Sequence, residues 1–251
     1  MICKFKNVDY IHFDTIDSTN TWAKANAHTL DPEKLSCITA LEQTAGRGRF
    51  SRKWLSPAGQ NIYATLFFVI PRGCSYLPNL GQILAYSCAS VLKEKGFAVE
   101  IKWPNDLLID RKKVAGILSE TVSVNDSCGV ALGIGINVNM GEALLKTIDQ
   151  PATSLAQLSM KTWKLEHILY PLIQQFLQDF ELLHKNGFAP FQSNFQKLLA
   201  YKGQEITCND GVKTIQGICQ AITKDGKLEL VPPSGKLITL SAGEVKFNWQ
   251  K

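Results

Sequence analysis

Between Asn79 and Gly96, small or apolar residues recur at Leu80, Ile83, Leu84, Ser87, Cys88, Val91 and Leu92. That i, i+3, i+4 spacing predicts an amphipathic helix, ended by Gly96. Around it lie β-rich runs of alternating or continuous apolar character: SCITALE (36–42), NIYATLFFVI (61–70), VEIKW (99–103), VAGILSETV (114–122) and GVALGIGINVN (129–139). A second helix is expected near Trp163–Lys185, burying Leu169, Leu172, Ile173, Phe176, Leu177 and Phe180, with Pro171 either starting or kinking it. A shorter one follows at about Pro190–Leu199. These elements make an α+β fold, a mixed β-sheet with helices packed on one side.

From Lys202 the texture changes. Short runs EITC, GICQAI, KLELV, KLITL and EVKF are separated by NDG, KDG and PSG, turn chemistry that suits tight hairpins. This predicts a small C-terminal β-barrel, and the boundary falls near Ala200. Residues 1–200 form the larger domain and 201–251 the barrel.

Composition narrows the class without choosing a partner. The 251 residues carry 27 Lys+Arg against 22 Asp+Glu, a formal charge of +5, which permits contact with anions but does not demand nucleic acid. Seven cysteines (Cys3, Cys37, Cys74, Cys88, Cys128, Cys208, Cys219) stand singly with no CxxC pair, which suits reduced thiols used as small core residues. The N-terminus MICKFKNVDY has no apolar leader segment, and no run reaches the roughly 18 apolar residues of a membrane span. A soluble, cytoplasmic protein with no membrane partner is expected.

Four stretches carry candidate chemistry. GRGRFSRKW, Gly46 to Trp54, packs Arg47, Arg49, Arg52 and Lys53 around two glycines; its amides can converge on an anion and its guanidiniums offer forked donors to phosphate or carboxylate. A solvated basic hairpin or a nucleic-acid patch would carry the same charge. KWPND, Lys102 to Asp106, presents Lys102 from a strand end stiffened by Pro104, although an ordinary strand-end lysine reads the same way. DSTN, Asp17 to Asn20, precedes the helical TWAKANAH and fits an N-cap; the same hydroxyls and amides could bind a neutral polar ligand. GIGIN, Gly133 to Asn137, lacks the third glycine of a dinucleotide fingerprint and reads better as a strand approached closely by a ligand.

In the order DSTN, EQTAGRGRFSRKW, KWPND, KKVAGILSE and GIGINVN, these stretches resemble the biotin–protein ligase family, in register from about residue 10 to 140. The resemblance implies an ATP-dependent ligase working in two steps: biotin and ATP give biotinyl-5′-AMP, and a lysine of a biotin carboxyl carrier protein, a subunit of acetyl-CoA carboxylase, then takes the acyl group. Magnesium accompanies ATP in the family, and no residue is assigned to it. Carried over position by position, the resemblance implies Lys102 and Arg49 as catalytic. It implies a ligand surface made of Ser18, Thr19, Asn20, Gln43, Gly46, Arg47, Gly48, Arg49, Arg52, Trp54, Lys102, Asn105, Gly116, Gly133, Gly135 and Asn137. Uncharged donors and acceptors suit the ureido ring of biotin. The cations suit the approach of a carboxylate to an α-phosphate, and a mobile basic loop could order over the adenylate.

Two departures bear on this. Family loops usually read GRGRxGRxW, whereas Ser51 stands where the later glycine would be, which bears on the loop's conformational freedom. Some relatives carry an N-terminal DNA-reading module; only about ten residues precede the motifs here, so the short, non-repressor class with no specific DNA partner is expected. The sequence leaves a homodimer open. Rival readings are a lipoate ligase or octanoyl transferase of the same scaffold, and a basic nucleic-acid-binding module. Against the second stands the lack of aromatic residues interleaved on any basic strand.

Overall fold

The computed structural model describes residues 5–247. A seven-stranded sheet is built from β1 (Val8–Ile16), β2 (Leu35–Gln43), β3 (Ile62–Pro71), β4 (Glu100–Lys102), β5 (Asp106–Ile109), β6 (Lys112–Val124) and β7 (Ser127–Ile136), in the order β1-β2-β3-β7-β6-β5-β4. The β1–β2 pair is parallel and the other ladders are antiparallel. The centre is β3–β7–β6; β3 and β7 are buried along most of their length on both faces and read as near-continuous hydrophobic stretches, while burial alternates along the second half of β6.

Helix α1 (Thr19–Ala25) follows β1, and α2 (Leu80–Glu94) follows β3. After β7 come α3 (Glu142–Leu145), α4 (Leu155–Ser159), α5 (Glu166–Asn186) and α6 (Gln192–Leu198). The long helices α2 and α5 share one face of the sheet, where Leu80, Ile83, Leu84, Phe176 and Phe180 meet Leu66, Phe68 and Leu132. The short α1 takes the other face, packing Ala23 and nearby Ala27 on Ile38, Phe67 and Ala131. Alternation along β2 and β3 sends neighbouring side chains to opposite faces, and both faces carry apolar residues, so the sheet needs cover on both. Pro171 falls inside α5 rather than starting it.

The C-terminal strands β8 (Glu205–Asn209), β9 (Thr214–Ile222), β10 (Leu228–Val231), β11 (Ile238–Leu240) and β12 (Glu244–Phe247) form an antiparallel sheet in the order β11-β10-β9-β8-β12. The expected barrel is not closed: among the described residues β11 and β12 are edges that do not pair with each other. Instead its apolar face, including Ile206, Cys208, Leu228, Leu230 and Val245, merges with the core of the larger sheet. Burial against that core, rather than closure on itself, covers the face. Two polar ties fix the contact. The Trp103 indole N–H donates to the Gly226 carbonyl at 3.0 Å, and Gln82 Nε2 donates to the same oxygen at 2.6 Å.

Four cysteines behave as core residues: Cys37, Cys88, Cys208 and Cys219 are buried, and burial pushes their thiols up, to about 12, 12, 11 and 11 respectively. Cys74 and Cys128 are only partly covered, and Cys3 lies outside the described residues. None of the described cysteines is in a disulfide. His12 meets Thr39 Oγ1 and His184 meets the Tyr76 hydroxyl, each at 2.9 Å.

One buried carboxyl stands out between α2 and α5. Asp179 has its Oδ2 2.7 Å from Ser87 Oγ and accepts from Gln175 Nε2 at 3.1 Å. Burial raises its pKa, and the hydrogen bonds from Ser87 and Gln175 recover only part of the shift. A raised carboxyl pKa lowers stability as pH rises from the unfolded-state value through the folded-state value, because the unfolded chain gives up the proton first. Asp179→Asn keeps the shape: its amide can donate to Ser87 Oγ, whose single hydrogen is then released to Ile83 O, 2.9 Å away. We expect this variant to gain about 1 kcal/mol above neutral pH, seen as a rise of roughly 2–4 °C in Tm, and to lose that part of the fall in Tm between acidic and neutral pH.

Candidate active site

A cleft of about 450 Å3 opens between the sheet, the Gly46–Trp54 loop and the start of β12. Of the sixteen residues the sequence put forward for the ligand surface, fifteen line it; the exception is Gly46. A Cβ on Gly46 would lie 2.6 Å from both Ser56 Oγ and Trp54 O, so this glycine serves the loop's close packing instead. Its carbonyl accepts the Trp54 N–H at 2.9 Å.

The neutral end lies where α1 begins. Ser18 is the N-cap, and its Oγ accepts the Thr21 N–H at 3.5 Å. The Thr19 N–H and hydroxyl face Gln43 Oε1 at 3.0 and 3.2 Å, while Gln43 Nε2 donates to Ser56 Oγ at 3.1 Å. Asn20 is engaged on every side: its Nδ2 reaches Glu120 Oε2 (3.0 Å), Leu118 O (3.2 Å) and Ala131 O (3.4 Å), and its Oδ1 accepts from Thr65 Oγ1 at 2.6 Å. An amide so occupied can only shape the pocket unless it gives up a bond. The glycines of β7 leave room for this. A Cβ at Gly133 would sit 2.3 Å from Asn20 Oδ1, and one at Gly135 would sit 2.3 Å from the Trp54 ring. The Trp54 Nε1 is buried with no acceptor in the protein.

The cationic end is built on the turn between β4 and β5. Asp106 bridges two lysines: Oδ2 lies 3.2 Å from Lys102 Nζ, and Oδ1 lies 2.8 Å from Lys113 Nζ. Burial pushes the Asp106 carboxyl up, but Lys113 and Lys102 together outweigh it and hold the pKa below its ordinary value. Lys113 also lies 5.4 Å from the centre of the Trp54 ring. Asn105 accepts from Arg49 through Oδ1 at 3.1 Å and donates its amide to Ile117 O. Gly116 lies under Lys113, and Asn137 donates to Thr153 O at 3.1 Å.

Each arginine of the loop has a protein partner. Arg47 pairs with Glu120 at 3.0 Å, beside Lys24 at 2.6 Å from the same carboxylate. Arg49 donates to Gly243 O at 3.0 Å, and Arg52 forms an ion pair with Glu244. For both Glu120 and Glu244, burial alone would raise the pKa, but the cations around Glu120 and Arg52 beside Glu244 hold it below its ordinary value. The loop folds as a tight hairpin: Arg47 bridges Lys53, and the Gly48 N–H donates to Arg52 O at 2.7 Å.

Sequence reasoning singled out the cations and neutral polar groups but missed their anions. Asp106 and Lys113 fall inside quoted stretches, KWPND and KKVAGILSE, yet nothing in either string shows that they meet. Glu244 and Val245 come from the far end of the chain, and the Thr147–Gln150 segment and Ala152 after α3 had no signal.

Among the described residues no three His, Cys, Asp or Glu converge to hold an ion, and Asp106 and Glu244 are already engaged by cations. The donor set does not fit a bound magnesium of the protein's own.

Comparisons with known proteins agree with the geometry. The family model for the Biotin/lipoate A/B protein ligase family matches residues 12–137, and that for the Biotin protein ligase C terminal domain matches 202–247. The chain is 32% identical over 234 residues to the bifunctional ligase/repressor BirA of Escherichia coli (strain K12), covering 92% of this chain and 72% of that protein. It is 31% identical over 239 residues to the biotin–[acetyl-CoA-carboxylase] ligase of Paracoccus denitrificans, covering 92% and 97%. The structure of the biotin protein ligase from Aquifex aeolicus in complex with biotin and ATP superposes with a TM-score of 0.81 at 28% identity, covering 96% of this chain and 98% of that one.

The loop's backbone yields a prediction opposite in sign to the one its sequence invites. Glycine at position 51 would be expected to loosen the loop, because glycine has more freedom to lose. But Ser51 sits at φ +58°, next to Phe50 at +55°. A left-handed conformation costs an L-residue roughly 1–2 kcal/mol, more than the roughly 0.5–1 kcal/mol entropic disadvantage of glycine. Ser51→Gly should therefore tighten the loop, and trypsin should cut after Arg49 and Arg52 about two- to fivefold more slowly than in the parent, the rate following the open population.

Proposed function

The chain belongs to the biotin/lipoate A/B protein ligase family, and from that premise we propose how its cleft works as a biotin–protein ligase. The observation that carries the reading is the cleft's two-ended chemistry: uncharged hydrogen-bonding groups at Ser18, Thr19 and Gln43, and cations at Lys102, Lys113 and Arg49, on one continuous surface. Biotin has the same division. Its ureido ring is neutral and rich in donors and acceptors, and its carboxylate must meet a phosphate. The acyl chain and dithiolane of a lipoyl or octanoyl substrate would make no use of the hydroxyls at the neutral end, which weighs against that rival.

In the first step the biotin carboxylate oxygen attacks the α-phosphorus of ATP, forming the acyl–phosphate bond as the bond to pyrophosphate breaks. Both partners are anions. Lys102, held by Asp106 at the end of β4, offers a fixed positive charge where negative charge builds up, and Arg49 grips the adenylate from the loop. In the second step the amine of a carrier-protein lysine attacks the acyl carbon, AMP leaves, and an amide results. No nucleophilic side chain of the ligase is needed, because AMP is already a good leaving group. Magnesium enters as part of the Mg–ATP substrate. The partner is the biotin carboxyl carrier subunit of acetyl-CoA carboxylase; the protein binds no specific DNA, works in the cytoplasm, and a homodimer is compatible with the cleft. No helix among the described residues is long and apolar enough to cross a membrane. With the domain boundary at residue 200, the larger domain carries the chemistry and the C-terminal one, through Gly243 and Glu244, braces the loop.

The direct test is incubation with biotin, Mg–ATP and carrier protein, read on a streptavidin blot: labelling of one carrier lysine supports the reading, and labelling only with lipoate or octanoate replaces it. Lys102→Met preserves side-chain length and removes the charge. Pyrophosphate release should then fall by about three orders of magnitude or more if the charge supplies roughly 4 kcal/mol of transition-state stabilisation.

Arg49→Gly separates making the intermediate from keeping it. Loss of charge-assisted hydrogen bonds worth about 1.5–3 kcal/mol should raise the escape rate of the adenylate roughly 10- to 150-fold. Bystander albumin should become biotinylated by the variant and hardly at all by the parent.

A further inference from the structure

Hydrogen counting at the neutral end assigns a role to a residue that does not line the cleft. Thr65 lies in the middle of β3 at 0% exposure, with its Oγ1 2.8 Å from Thr19 Oγ1 and 2.6 Å from Asn20 Oδ1. A hydroxyl has one hydrogen to give, so it cannot serve both oxygens.

The Asn20 amide decides which. Its nitrogen is identified by its surroundings, because Leu118 O, Ala131 O and the Glu120 carboxylate can only accept. The atom facing Thr65 is therefore the amide oxygen, which cannot donate, and the Thr65 hydrogen goes to Asn20. Gln43 is fixed in the same way: the backbone N–H of Thr19 can only donate, so the Gln43 atom it meets is Oε1. The Thr19 hydroxyl hydrogen then has two inward acceptors, Gln43 Oε1 at 3.2 Å and the Thr65 oxygen at 2.8 Å. Either one turns the hydrogen away from the cleft. What Thr19 shows to a ligand is lone pairs.

We propose that Thr65 is a positioning residue for substrate recognition: by giving its only hydrogen to Asn20 Oδ1 and remaining open as an acceptor, it holds the Thr19 hydroxyl as an obligate hydrogen-bond acceptor. The cleft then reads a ring N–H at that point and rejects a ligand carrying an acceptor there. Gly133 belongs to the same device, since a Cβ would lie 2.3 Å from Asn20 Oδ1 and displace the amide that orients Thr65. Glu120 anchors the far side of Asn20 and pairs with Arg47, so the loop and the hydroxyl relay share one carboxylate.

The inference rests on the biotin-ligase reading, and the experiment keeps the two separable. Biotin binding to the complete chain is measured by calorimetry for the parent, Thr65→Val and Thr65→Ser, alongside KM for ATP and thermal unfolding. The two cyclic carbamate analogues of biotin, each with one ring N–H replaced by oxygen, are tested in parallel. Thr65→Val should weaken biotin at least tenfold with KM for ATP unchanged, and Thr65→Ser should restore binding to within about twofold. The parent should bind one carbamate at least 100-fold more weakly than biotin. In Thr65→Val that preference should shrink at least tenfold, because the only inward acceptor left to the Thr19 hydroxyl is Gln43 Oε1, at the longer distance of 3.2 Å and already engaged by the Thr19 N–H, so the hydroxyl can turn outward and donate to the ring oxygen. If Thr65→Val does not fold, Thr65→Cys replaces it, a poor donor in a side chain of similar size, with the same direction expected. Unchanged biotin affinity in a folded Val or Cys variant overturns the proposal. So does an equal loss for biotin and both carbamates that Thr65→Ser fails to rescue. A parent that binds no biotin at all overturns the ligase reading itself, whatever the variants do.

Discussion

Four cations within seven residues, Arg47, Arg49, Arg52 and Lys53, repel one another, and a loop carrying them can stay closed over a half-buried cleft only if partners hold it there. Those partners come from separate parts of the chain: Glu120 from β6, Asn105 from the β4–β5 turn, and the Gly243 carbonyl and Glu244 from the start of β12. Arg47 depends on β6 and Arg52 on β12, while Arg49 is held from both the β4–β5 turn and Gly243. The C-terminal sheet is consequently more than an appendage. Its apolar face is buried in the main core, its KDG turn caps Trp103 beside Lys102, and Gly243 and Glu244, at the entry to its last strand, hold two of the loop's arginines.

The same rule governs the other cations of the site. Lys102 and Lys113 share Asp106, which keeps two ammonium groups near one another in a partly buried cleft. Neutralising them in part makes the unliganded cleft tolerable, and it also means that a phosphate competes with protein carboxylates for its cations. Binding at this end is then a difference between two sets of ion pairs, smaller than a count of arginines and lysines suggests. At the neutral end the protein satisfies almost every donor and acceptor internally, leaving the few that face the cleft with defined polarity.

The parts of the fold legible in the sequence were those whose signal is local. The periodicity of α2, the central runs of β3, β6 and β7, and the KDG and PSG turns each lie within a short window. The strand β1 went unseen because it lies at the sheet edge, where half-exposed residues blur the alternation. Barrel closure was expected because five short strands allow it; whether β11 meets β12 depends on a non-local pairing that no short string encodes. The site divides along the same line. GRGRFSRKW, KWPND and DSTN each announced a charge or a polar group, whereas the carboxylates that hold the loop arginines lie 73 residues from Arg47 in Glu120 and at the far end of the chain in Glu244.

This asymmetry has a physical origin. A residue that must reach a ligand is confined to a few positions near the cleft, and the backbone there needs glycine, proline or a cap to present it, so composition and spacing betray the site. A carboxylate that must neutralise an arginine can stand on any element that the fold brings within about 4 Å, and nothing in its own neighbourhood need be unusual. Thr65 is the extreme instance: a single threonine in the middle of a buried strand, ordinary in β propensity and burial, whose importance lies wholly in which of two oxygens receives its one hydrogen. Such a residue becomes visible only when every neighbouring donor and acceptor has been assigned.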